Sequence, residues 1–257
     1  MTGMMSGSPV SPHDYGALLD RWKALSASGE LGLETLCEVD GDPVIRLENE
    51  RAVRGESGGL YLSTGVHGDE CAPVWALLEW VASDPPVLHE RPVTLFPCLN
   101  PAGFRANTRF DGFGTDLNRS FTDRSHPVIG AWQESMSDRH FDLALNLHED
   151  YDANGIYLYE LTRRESVGHT LLSACEGVLP RETSAQIDGS EFDRGLLVRS
   201  GDIERVVEEQ LGGGYPEAIL LFLRHAESSF TFETPSERGL SLRIAAHRAF
   251  LDAVSAL

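Results

Sequence analysis

GLYLSTGVHGDECAPVWALLEW, residues 59–80, decides the fold class of this 257-residue chain. Its opening, GLYLST, is apolar and β-rich, and its close, from Cys71 onward, is an apolar run that reads as a helix. Between the two lie His67 and Glu70, three positions apart and flanked by Gly65 and Gly68. A strand that leads straight into a packed helix is the unit of an α/β protein. Two proton-binding side chains at the mouth of that unit call for an explanation.

The alternation continues along the chain. Strand-like runs recur at LETLCEV (33–39), PVTLFPCL (92–99), FDLALNL (141–147), GIYLYEL (155–161), AILLFL (218–223) and SFTFET (229–234). Helical spacing falls near 15–25, 69–83, 126–138, 163–178 and 236–254. LALNL and ILLFL are apolar without a break, which suits strands covered on both faces. We expect an α/β sandwich in a single domain over residues 1–257, with residues 1–11 flexible. Residues 100–121, rich in Gly, Asn and Asp, make a long connection of the kind that often carries function.

Composition excludes several partners. A net charge of −19, from 21 basic and 40 acidic residues, disfavours a nucleic acid or an anionic membrane, which require clustered Lys and Arg. No signal-like start and no membrane-length apolar run is present, so a soluble cytoplasmic protein is expected. Cys37, Cys71, Cys98 and Cys175 are scattered without a C-x-x-C pair and read as reduced, mostly buried thiols. Neither a phosphate-binding G-x-x-x-x-G-K-[ST] loop nor a G-x-S-x-G elbow occurs, and LGGGYP lacks the span of a dinucleotide fingerprint.

His67 and Glu70 admit two readings. Spaced i, i+3 at a helix start they can reach one ion together; equally, the acids at 69 and 70 can complement the helix dipole with His67 as a bystander. A third ligand is available in His148, which ends a strand at the sheet edge where open α/β sheets bind ligands. His225, after ILLFL, is its rival.

H-x-x-E after a strand, the DLNR stretch (116–119), a strand-terminal histidine and an acid in FTFET together resemble the zinc carboxypeptidase family, particularly its succinylglutamate desuccinylase and aspartoacylase branch. The resemblance spans residues 60–235. It implies a three-layer α/β/α sandwich on a mixed, mostly parallel sheet, with one zinc per chain held by His67, Glu70 and His148 and a fourth position left for water. It further implies Glu233 as general base, Arg109 as the oxyanion donor with Arg105 as an alternative, and Asn118 and Arg119 as the grip on a substrate carboxylate. Asp116 would accept a bond from His67, and Tyr215 matches the family's mobile tyrosine. The FDGFGT segment after Arg109 is longer than in the branch, which leaves the path of that loop open. Glu149 and Asp150 read as solvated loop acids, and Tyr157 and Tyr159 as part of a half-buried strand.

The leading expectation is a carboxypeptidase-like hydrolase acting on a small peptide with a free carboxylate. An N-acyl amino acid deacylase is the alternative. A non-catalytic binding module would require the loss of a ligand or base.

Overall fold

Strand β1 (Leu31–Val39) pairs with β2 (Asp42–Asn49) through a two-residue turn in the computed structural model, which describes residues 11–187, 189–199 and 201–257. The expectation of a flexible start therefore falls, but for Ser11, outside the described residues. The turn is Asp40-Gly41, with φ of 52° and 82°. This Asp-Gly hairpin suits the twist of the strands it joins.

The other strands are β3 (Leu60–Ser63), β4 (Val93–Phe96), β5 (Phe141–Asp150), β6 (Tyr157–Thr162), β7 (Gln186–Ile187), β8 (Ser190–Glu191), β9 (Leu196–Arg199) and β10 (Ala226–Pro235). Helices are α1 (Tyr15–Ala27), α2 (Glu50–Val53), α3 (Cys71–Ala82), α4 (Val87–Glu90), α5 (Pro101–Ala106), α6 (Pro127–Ser135), α7 (Gly168–Cys175), α8 (Ile203–Gln210), α9 (Glu217–Arg224) and α10 (Leu240–Ser255). Eight strands form one mixed sheet in the order β1-β2-β4-β3-β5-β10-β6-β9. The junctions β4/β3, β3/β5, β5/β10 and β6/β9 are parallel.

Strand alternation divides the core between two layers. Leu60, Leu62, Leu143, Leu145, Leu147, Phe230 and Phe232 face one way and pack with Val74 and Leu78 of α3, Leu171 of α7 and Phe250 of α10. Tyr61 and Ala144 face the other way, toward Ile129 and Trp132 of α6 and Leu220 and Leu221 of α9. Three layers result, as expected. No helix among the described residues is long and apolar enough to cross a membrane.

One element is corrected. AILLFL is not a strand but most of α9, whose Ala218 to Phe222 are all buried. Leu220 and Leu221 meet the sheet side, while Ile219 and Phe222 pack with Ile203 and Val207 of α8. A helix clad on several sides shows no stripe and mimics a buried strand. Its leucine-rich composition and the proline just before it favour the helix.

Candidate metal centre and active site

The turn from β3 to α3 carries His67 and Glu70. Gly65 adopts φ of 61° there, and a Cβ on Gly68 would fall 1.9 Å from the Gly103 carbonyl carbon of α5. Only glycine allows the two backbones this approach. Gly68→Ala is expected to cost about 3 kcal/mol or more, seen as a fall in melting temperature of roughly 6–12 °C. An unchanged melt would mean that α5 moves aside freely.

His148 and Glu233 arrive from neighbouring strands. β5 and β10 run parallel with Glu233 in register with His148, so both side chains leave the same face of the sheet at its carboxyl end. His67, Glu70 and His148 are each 3% exposed. His67 Nδ1 lies 2.5 Å from Glu70 Oε1, and Glu70 Oε2 lies 2.9 Å from His148 Nδ1. One donor atom from each residue falls within 4.8 Å of the other two.

This geometry bears on both readings of the opening pair. Glu70 occupies the N-cap position of α3 yet makes no side-chain capping bond. Its Oε2 is buried and pairs with His148 Nδ1. Burial alone would lower both imidazoles, but the Glu70 carboxylate raises them, His67 to about 9. Glu70 in turn is held well below the usual carboxylate range, because the two imidazoles outweigh its burial. Two imidazoles set around one buried carboxylate suit a divalent metal ion.

The 100–121 loop closes one side. Asp116 Oδ1 accepts from His67 Nε2 at 3.3 Å, which leaves Nδ1 facing Glu70. Its Oδ2 accepts from Arg109 Nε at 3.0 Å, and an Arg109 terminal nitrogen comes within 3.3 Å of His67 Nδ1. Arg109 thus stands at the cluster. Arg105 does not: it forms a two-point pair with Asp42 at 2.9 and 2.6 Å. The longer FDGFGT path is organised by Asp111, which accepts from Phe113 and Thr115 and pairs with buried His126 at 2.7 Å.

A cavity of about 520 Å³ opens over the cluster, lined by His67, Glu70, Arg109, Asn118, Arg119 and Glu233 among others. It continues past Tyr159 and Leu161 to Arg199, which donates to Gln210 at 3.0 Å and lies over the Tyr159 ring. Tyr157 and Tyr159 thus face the cavity side, while Ile156 and Leu158 enter the main core. Arg199 and Gln210 escaped the sequence reading. Tyr215 stands apart from the lining, packed against the cluster of Leu161, Ile203, Val207, Ile219 and Phe222, with its carbonyl accepting from Phe121. His225 ends α9 and faces the Arg139 carbonyl at 3.1 Å.

Glu149 is also corrected. It is no solvated acid but is 5% exposed, paired with Arg243 and bonded to the Ala72 amide. Burial pushes its carboxyl up against the pull of Arg243.

Residues 57–167 match the family model of the succinylglutamate desuccinylase/aspartoacylase catalytic domain. No curated protein matches the sequence. Among solved structures, a candidate metallopeptidase from Shewanella denitrificans OS217 superposes with a TM-score of 0.79 at 23% identity, covering 97% of both chains. A metallo-carboxypeptidase from Burkholderia cenocepacia gives 0.65 at 16% identity, over 96% of this chain and 68% of the other. A Pseudomonas aeruginosa metallo-carboxypeptidase, complexed with (2-guanidinoethylmercapto)succinic acid, gives 0.59 at 16% over 97% and 69%. The chain therefore carries the carboxypeptidase-like fold, and its residues 57–167 are similar to the succinylglutamate desuccinylase/aspartoacylase catalytic domain.

Proposed function

We propose that the chain is a zinc-dependent hydrolase that cleaves a peptide or amide bond next to a free carboxylate, and that its substrates are small peptides. One observation carries this reading. His67 and Glu70, which cluster with buried His148, line the same cavity as Glu233, Arg109, Asn118 and Arg119.

His67, Glu70 and His148 would hold the ion. When bound, zinc supplies Lewis acidity that polarises a carbonyl and makes water a nucleophile near neutral pH. The chain's own residues supply the rest. The Glu233 carboxylate takes a proton from the attacking water and returns it to the leaving nitrogen. The Arg109 guanidinium, held by Asp116, stabilises charge that develops on the carbonyl oxygen. Asn118 and Arg119 bind the substrate carboxylate and so fix which bond meets the centre. Tyr215 has no part in this scheme.

The family match supports a second reading, an N-acyl amino acid deacylase working with the same groups. Hydrolysis of peptides with a free C-terminus, run beside N-acetyl and N-succinyl amino acids, separates the two. Turnover of the peptides and not the acyl amino acids is expected; the reverse makes the chain a deacylase. Activity on neither, in zinc-loaded protein, overturns both. Cytoplasmic location is part of the same reading, in keeping with four cysteines that form no disulfide.

A further inference from the structure

Glu149 follows His148 on β5, so the two side chains leave opposite faces of the sheet. The Glu149 carboxylate lies behind the candidate site, on the side covered by α3 and α10, and there it meets three elements. Its Oε2 accepts from the backbone N–H of Ala72 at 2.9 Å, in the first turn of α3 and two residues past Glu70. Its Oε1 accepts from the Arg243 guanidinium of α10 and, at 3.4 Å, from the Thr234 hydroxyl, one residue past Glu233 on β10. α10 holds the far side: Arg243 Nε donates to the Arg238 carbonyl at 2.8 Å, and His247 Nε2 lies 3.0 Å from the Thr234 hydroxyl.

One carboxylate thus ties together the three elements that carry the centre. It is itself joined to His148, it binds the turn behind His67 and Glu70, and it contacts the residue behind Glu233. The α3 amide it binds belongs to a helix N-terminus whose cap residue, Glu70, makes no side-chain capping bond of its own. A helix start has unpaired N–H groups and favours negative charge. Glu149 meets that demand from the neighbouring strand, leaving Glu70 free to face His67 and His148.

We propose that Glu149 is a positioning residue. Paired with Arg243, it sets the spacing of His67 and Glu70 against His148 and Glu233, so that α10 governs a centre to which it contributes no ligand. The inference rests on the metal set proposed above.

The test uses the full chain and compares Arg243→Met, Arg243→Lys and Glu149→Gln with Leu251→Ala, a core truncation on α10 away from the pair. Glu149→Gln keeps the size and the acceptor for Ala72, and so remains informative should loss of the guanidinium prevent folding. Zinc affinity is read by competition with a chromophoric chelator. Arg243→Met and Glu149→Gln are expected to bind zinc about 10–100-fold more weakly, Arg243→Lys to recover most of the loss, and Leu251→Ala to melt earlier with its zinc affinity intact. Amide exchange over residues 67–72, followed in metal-stripped protein, is expected to quicken in Arg243→Met and Glu149→Gln but not in Leu251→Ala. Zinc affinity and exchange in the pair variants no different from Leu251→Ala would reduce the pair to an ordinary packing contact and overturn the proposal. A wild type that takes up no zinc overturns the metallohydrolase reading alone, and the exchange comparison then decides the positioning role by itself.

Discussion

Glu233→Gln is expected to retain zinc while its turnover falls by about 10²–10⁴-fold. The amide matches the carboxylate in shape, so the parallel register that sets residue 233 beside His148 is unaltered, and the cavity wall keeps its form. Only the capacity to accept a proton is lost. A shorter acid, Glu233→Asp, keeps that capacity but withdraws it by one methylene and should fall between the two. The measurement pairs kcat with metal content by elemental analysis. Full activity in the glutamine variant would vacate the general-base role, whereas lost activity together with lost zinc would show that residue 233 supports the metal instead.

How far these residues could be read from sequence follows from how local their geometry is. The strand-to-helix turn at 59–80 is a contiguous signal, and it located His67 and Glu70. His148 and Glu233 each lie two residues before the end of a strand, and strand ends at the carboxyl edge are where such sheets bind ligands. Their register, however, depends on β10 inserting between β5 and β6, and nothing in either segment specifies that order. The ion pair of Glu149 with Arg243 joins residues 94 apart and was equally hidden, so a buried anchor looked like a loop acid. Arg199 was missed because β9 is a four-residue edge strand with little alternation. β2 was different: the Asp40-Gly41 pair before PVIRL is a strong local hairpin signal, present in the sequence and passed over. α9 failed for a physical reason, since a helix buried on several sides has no polar face to reveal its period.

His67→Ala should abolish zinc binding at concentrations that saturate the wild type, and turnover with it. Removing one of three protein donors leaves an imidazole and a carboxylate, too few to hold the ion against a chelator. The loss has a thermal counterpart. An ion that binds only the folded chain stabilises it by about 2.7 kcal/mol at 100 times Kd, so zinc should raise the wild-type melting temperature by roughly 5–10 °C. His67→Ala should show no such rise. The variant also isolates Glu70, whose carboxylate is buried and kept ionised by the two imidazoles. With one imidazole gone, its burial weighs more heavily and its carboxyl moves up, which further weakens it as a ligand. Zinc content and the zinc-dependent shift in melting temperature are independent readings of one event. If both survive in His67→Ala, the histidine is a bystander at the start of α3, and the ion must be held by Glu70 and His148 with some other donor.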